Sequence, residues 1–256
     1  MSGSRLVIEI PYGGFGDHLF HSHLPKIAKE TGKFDEVYFS SKSLIRKQDH
    51  LDLVWKRNPY IDGFVDEPGV SCDLKSIVEE AKLRRDVNLL DLVMIAYGLD
   101  DGVRWHDPEL YYKPNLISEY QVKIFDPNHF TYIGDFNERD LYAYLRKHNI
   151  KFDAVMKLLG NKALYRSDRS HLIIEAPSVY EFCDVLYSAK EIYCFTSGTA
   201  TLASALGKHA VVFYGAKLDR GFHHSKTHDY VFVDKTLSHK IKDGTKTLVK
   251  RIIGRK

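Results

Sequence analysis

The sequence predicts an α/β protein of two halves, each a parallel sheet with helices on both faces. Three observations carry that prediction. Short apolar runs rich in β-branched and aromatic residues alternate with segments of helical period along the 256 residues. Two glycine-bearing strand-to-helix turns stand far apart in the chain, "PYGGFGD" at 11–17 and "TSGT" at 196–199. Between them, near residues 112–127, a proline-bearing stretch interrupts the pattern, which then restarts. The expected domains are therefore 1–120 and 121–256.

"RLVIEI" is the first expected strand and "DHLFHSHLPKIAKETG" the first helix, with Leu19, Phe20, Leu24 and Ile27 at helical spacing and Gly32 ending it. "EVYFSS" and "IDGFV" are the next strands, separated by a polar segment through "DLVWKRNPY". "VNLLDLVMIAYG", from Val87 to Gly98, reads as a helix. After the interruption, "HFTYIGDFNERDLYAYLRKH" gives an aromatic strand, a turn at Gly134 and a helix with acids in its first turn. "HLIIEA" is a strand, "SVYEFCDVLYSA" a helix, and "EIYCFT" a strand leading into the small-residue helix of "SGTATLASALG". "HAVVFYG" and "DYVFVD" are further strands, and the basic remainder from Lys235 ends in a helix.

Composition narrows the function. A hydrophobic content of 44% is globular, and a net charge of +3 with acids interspersed is too mild for nucleic-acid wrapping. Cys72, Cys183 and Cys194 form no C-x-x-C pair, which fits a reducing compartment without structural zinc. No stretch reaches the roughly 18 apolar residues of a membrane span, and the N-terminus lacks a signal-peptide core. A cytoplasmic protein is expected.

In the first turn, Gly13, Gly14 and Gly16 free the backbone ahead of a helix start. The spacing is neither a dinucleotide fingerprint nor a phosphate loop. Asp17 has two readings, a first-turn cap and a general base that takes a proton from a substrate hydroxyl. His18, His21 and His23 invite a metal reading, but His23 falls on another helix face and no second carboxylate is near, so acceptor contact or solvent is favoured. In the second turn, Ser197, Gly198, Thr199 and Thr201 form either a phosphate-sized anion site or an ordinary Ser/Thr cap. "GFHHSKTHDY", residues 221–230, reads as a loop at the substrate or on the surface.

Three motifs in order resemble the heptosyltransferase-like (family 9 type) glycosyltransferases. "GGFGDHLFHSHLPKIAK" is similar to the family's N-terminal Gly-Asp turn and helix, and "LDLVWKRNPYIDGFVD" to its Asn-Pro-x-Ile-Asp segment. "SAKEIYCFTSGTATLASALGKHAVVFYG" resembles the late signature of strand, Ser/Thr-Gly, small-residue helix and strand to Phe-Gly. The resemblance implies the GT-B fold, two Rossmann-like domains facing a cleft, here in a compact version. It implies an N-terminal acceptor domain and a C-terminal donor domain with a basic terminal helix. Asp17 would be the catalytic base of an inverting transfer, with Ser197, Gly198 and Thr199 on the donor diphosphate, Gly134 at the nucleotide, and Glu175 either accepting from ribose hydroxyls or standing as a solvent-facing strand end. Thr201 stands where the family often has histidine and Thr196 where it often has aspartate. The family's phosphate-binding lysine has no counterpart in "YIGDFNERD", which offers Arg139, so Lys217 or Arg220 would supply the positive charge.

The implied activity moves a sugar, a heptose in the family's own case, from a nucleotide-diphosphate donor to a glycan or glycolipid acceptor in bacterial surface-polysaccharide synthesis. No cofactor or metal is implied. Gly14, Gly16, His18 and His21 would line the acceptor side. The basic tail would touch an anionic inner-membrane surface or pack on the protein. The rivals are a fucosyltransferase-like enzyme, since "GGFGDHLF" resembles its Gly-Gly-x-Gly-Asn start but departs at Asp17, and a non-catalytic sugar-nucleotide-binding module.

Overall fold

The computed structural model describes residues 4–129, 133–159, 165, 171–218 and 220–241. Every named strand pairing in it is parallel. β1 (Arg5–Ile8), β2 (Glu36–Ser40) and β3 (Gly63–Val65) form a first sheet in that order. β4 (Lys123–Asp126), β5 (Ala154–Met156), β6 (Leu172–Ile174), β7 (Glu191–Phe195), β8 (Ala210–Gly215) and β9 (Asp229–Val233) form a second, ordered β6-β5-β4-β7-β8-β9. Numbered within that sheet, the order is 3-2-1-4-5-6, that of a dinucleotide-binding α/β sheet, with its reversal point between β4 and β7.

The expected long first helix is two: α1 (Phe15–His21) and α2 (Leu24–Glu30). Pro25, at the start of α2, cannot donate to the carbonyl one turn back and disfavours helical geometry at its predecessor. Ser22 closes α1 by donating its hydroxyl to Leu19 O at 2.8 Å. The polar segment after β2 carries α3 (Gln48–Leu51) and a π-helical turn Asp52–Lys56 that buries Leu53, Val54 and Trp55. α4 (Leu74–Leu83) and α5 (Leu89–Ala96) complete the first half. α6 (Glu138–Lys147), α7 (Val179–Ser188) and α8 (Gly198–Ala205) flank the second sheet.

One strand lies elsewhere than expected. The aromatic run beginning at His129 was the natural choice, yet the strand is the preceding "KIFD", inside the stretch read as an interruption. Its register against both β5 and β7 makes it a central strand. Residues 130–132, the middle of the expected strand, lie outside the described residues. Most of the basic terminal segment does as well; a helical turn at 237–241 begins it.

The halves share a core. One buried cluster runs from Leu6, Ile8 and Phe39 through Leu90 and Val93 to Cys183, Leu186, Ala200 and Leu202 on the face of the second sheet that α7 and α8 cover. The opposite face has its own aromatic cluster of Phe125, Phe152, Tyr165, Phe195 and Phe213. Polar ties cross with the apolar ones. Asn88 Nδ2 donates to His224 O at 2.6 Å, and Asp107 Oδ1 accepts from Ser204 Oγ at 2.6 Å and Ser225 Oγ at 3.0 Å. The 221–230 segment is thus neither surface loop nor free arm: His224, Ser225 and His228 are buried between the halves.

Candidate active site

The two glycine turns meet. Gly16, in the first turn of α1, and Gly198, at the start of α8, pack backbone to backbone: a Cβ on Gly16 would lie 3.3 Å from Gly198 Cα, and one on Gly198 3.4 Å from Gly16 N. The absence of two side chains lets the helix starts approach, and brings Asp17 beside the turn that follows β7. That turn is at the carboxyl end of the second sheet, next to its reversal point, where α/β sheets bind ligands.

Asp17 caps its own helix, one of the two roles read from the sequence. Its Oδ2 accepts the Gly14 N–H at 3.0 Å, closing the first turn of α1, and a Cβ on Gly14 would lie 2.6 Å from that oxygen. Its other carboxylate oxygen has no hydrogen-bond partner among the described residues. Burial pushes the Asp17 pKa up, against the opposing pull of the Gly14 N–H and the charge of Arg46. A half-buried carboxylate with one oxygen anchored and one free is suited to accept a proton.

His18 and His21 are fully buried and do not face a ligand, contrary to the acceptor role expected of them. The His18 ring accepts the Trp55 Nε1–H at Nδ1, 2.9 Å, and donates from Nε2 to Leu44 O at 3.2 Å. His21 donates from Nδ1 to Asp17 O at 2.7 Å, and its Nε2 accepts from the Cys72 thiol at 3.4 Å. Burial pushes both rings down to about 4, so they are neutral at pH 7. His23, also buried, is pushed to about 3, and its Nε2 meets Leu90 O at 3.1 Å. No cluster of three or more metal-ligating side chains occurs among the described residues.

The second turn presents backbone more than hydroxyls. Ser197 is the N-cap of α8 in extended geometry, but its hydroxyl reaches back to Phe195 O at 3.3 Å and caps nothing. The N–H groups of Gly198 and Thr199 find no acceptor among the described residues, whereas those of Ala200 and Thr201 bond to Ser197 O. The Thr199 hydroxyl donates to Asp126 Oδ2, so it is not free for a ligand. Thr201 is buried under α1, its Oγ1 3.9 Å from the missing Cβ of Gly16. The Thr196 hydroxyl is buried without a partner among the described residues.

Asp126 was not singled out in the sequence. It ends β4 opposite Cys194 of β7, is buried, and also accepts from Asn128 N at 3.0 Å and Asn128 Nδ2 at 2.7 Å. Burial raises its pKa, against the hydrogen bonds from Thr199 and Asn128. Its signal lay in a misplaced strand: an acid at the carboxyl end of a central strand is legible once that strand is located.

The remaining donor candidates are engaged as follows. Gly134, with φ of +108°, is buried against Gly215, whose N lies 2.3 Å from where a Cβ would sit, so it holds the β4–α6 loop to the end of β8. Lys217 pairs with Asp135 at 3.2 Å, and Asp135 also binds Lys235 at 2.5 Å. Glu175 follows edge strand β6, separated from β7 by β5 and β4, and pairs with Lys157 at 2.5 Å, its side chain 62% exposed. Arg139 lies on α6 beside Tyr142 and Arg146, lining a surface cavity of about 530 Å³.

No protein-family model and no curated protein matches the sequence. Solved structures do match in fold. A family 9 glycosyltransferase from Veillonella parvula is similar at 10% identity and a TM-score of 0.56, over 95% of this chain and 89% of that one. The E. coli heptosyltransferase WaaC, solved with ADP, is similar at 12% identity and 0.55, over 98% and 99%. The iron-containing dodecameric glycosyltransferase TibC from enterotoxigenic E. coli is similar at 14% and 0.58, over 88% of this chain and 62% of that one. The fold is heptosyltransferase-like.

Proposed function

We propose, from a fold shared with heptosyltransferase-like glycosyltransferases, that this protein moves a sugar from a nucleotide-diphosphate donor to a hydroxyl of a glycan or glycolipid acceptor. The observation that carries the proposal is the Gly16–Gly198 contact, which brings the residue next to Asp17 onto the start of α8, where the Gly198 and Thr199 N–H groups have no acceptor among the described residues. In an inverting transfer the acceptor oxygen attacks the anomeric carbon, its proton passes to the free oxygen of Asp17, and the breaking C–O bond leaves its electron pair on the diphosphate. The Gly198 and Thr199 N–H groups and the α8 dipole favour that negative charge. Ser197 contributes its hydroxyl on rotating away from Phe195 O.

ADP-linked heptose is the first donor to test, because TibC has been solved with ADP-D-β-D-heptose and WaaC with ADP. A thermal-shift panel of nucleoside diphosphates and nucleotide sugars, followed by product mass with a broad acceptor set, decides it. Stabilisation by at least one nucleotide sugar together with a glycosylated product supports the proposal. Binding with neither transfer nor hydrolysis identifies a binding module instead, the reading favoured by the engagement of Lys217 and Glu175 in ion pairs. Among the described residues no helix is long and apolar enough to cross a membrane.

A further inference from the structure

A cavity of about 720 Å³ opens between the halves, where α4 faces the ends of β8 and β9. None of its described lining residues belongs to either glycine turn. Both walls are fixed. Gly221 seats α4 on the segment that follows β8, since a Cβ there would lie 2.8 Å from Val78 O and 3.3 Å from Lys82 Cγ. The end of β8 is tied to the β4–α6 loop, with Gly215 N donating to Ile133 O at 3.0 Å and Asp135 N to Ala216 O at 2.6 Å. Lys217 follows at φ of +67°, left-handed geometry that a lysine keeps only where its surroundings impose it. A ligand therefore meets a preformed space and loses little affinity to ordering it.

The lining is apolar in one part and charged in another. Tyr214 and Phe232 pack edge to face with ring centroids 5.5 Å apart, and Phe232 is 44% exposed. Leu83, the last residue of α4, is 86% exposed. The charges are matched within the protein. Lys82 Nζ meets Glu79 Oε1 at 2.7 Å, Arg84 Nη1 meets Glu80 Oε1 at 3.3 Å, and Lys217 Nζ meets Asp135 Oδ2 at 3.2 Å. Both glutamates keep a second oxygen without a partner among the described residues.

A net-charged ligand would have to break one of these pairs or bring in a charge with no counterpart. A neutral ligand rich in hydroxyls donates to the carboxylates and accepts from the ammonium groups with every pair intact. A sugar ring joins such hydroxyls to C–H faces that lie well on the electron-rich face of an aromatic ring. We propose that this cavity binds a neutral sugar ring, one C–H face on Phe232 and its hydroxyls on Glu79 and Lys82. That the ring belongs to the acceptor glycan rests on the glycosyltransferase reading; the sugar site itself does not.

The test is saturation-transfer NMR on the full chain with the methyl glycosides of glucose, mannose and galactose and with maltotriose, glucose 6-phosphate being the charged control. At least one neutral sugar is expected to receive saturation at its ring C–H protons. Glu79→Gln, which keeps the shape of the carboxylate, and Phe232→Leu, which keeps apolar bulk without the aromatic face, are each expected to weaken that sugar about three- to tenfold, and Phe232→Ala more. Circular dichroism melts check that the variants fold. Silence of every neutral sugar, an affinity unchanged in either Phe232→Ala or Glu79→Gln, or tighter Phe232-dependent binding of glucose 6-phosphate than of the neutral sugars overturns the inference. Failure of the glycosyltransferase reading shows separately, as Phe232-dependent sugar binding without nucleotide binding or transfer.

Discussion

Asp17 joins a cap and a proposed base in one side chain, and the two roles separate by substitution. Asn at that position keeps an acceptor for the Gly14 N–H and removes the charge that burial disfavours. Asp17→Asn is therefore expected to hold or raise the melting temperature while transferase activity falls about 10²- to 10⁴-fold. Asp17→Ala, losing the cap as well, is expected to cost about 0.5–2 kcal/mol in denaturant melts. Because burial raises the Asp17 pKa, the acid limb of kcat/KM should lie above that of an ordinary aspartate and shift further up in Arg46→Gln. Trp55→Phe tests a different residue-scale tie: it leaves His18 Nδ1 buried without its donor, and should destabilise by about 1–3 kcal/mol. The histidines of the first turn show how sequence misleads at this scale. Three rings within six residues suggested ligand chemistry, but burial keeps them neutral, and the partners that occupy them besides Asp17, namely Trp55, Leu44, Cys72 and Leu90, are 26 to 67 residues away.

At the level of elements, the crossing of α1 over α8 depends on two positions without side chains. Gly16→Ala is expected to lower stability by about 1–3 kcal/mol and weaken nucleotide binding, as the helix starts are forced apart. Circular dichroism melts and the nucleotide panel read the two effects. Glycine turns, apolar periodicity and the alternation of strand and helix were legible, and they located β1, β2, β3, β6, β7, β8 and β9. β4 and β5 were not, because four residues before a proline and three residues in a polar surround carry little pattern of their own. They are strands because neighbours on both sides pair with them. The break between α1 and α2 had a local cause, Pro25, that the apolar spacing concealed.

Across the whole molecule, the pairing of the halves through one apolar cluster predicts a single calorimetric unfolding transition rather than two. Stability should also fall with acid. His18 and His21 are pushed to about 4 and His23 and His224 to about 3 by burial, so below their unfolded pKa near 6.5 the unfolded chain binds more protons. Their contribution, on the order of 3 kcal/mol for each ring, is present above that pH and lost on the way to pH 4. His106, raised by its bond to Asp91, and the buried Asp17 and Asp126 oppose this trend, but the four rings carry the larger shifts. Thermal melts from pH 8 to pH 4 should show the decline. The second sheet's α7 and α8 supply part of the cover for the first half, and they come late in the chain. During synthesis the first hundred residues emerge with that oily flank still wet, and remain so until residues 174–212 are made. A ribosome stalled after the first half should therefore display a chain that chaperones hold and proteases cut, and release of the full length should end both.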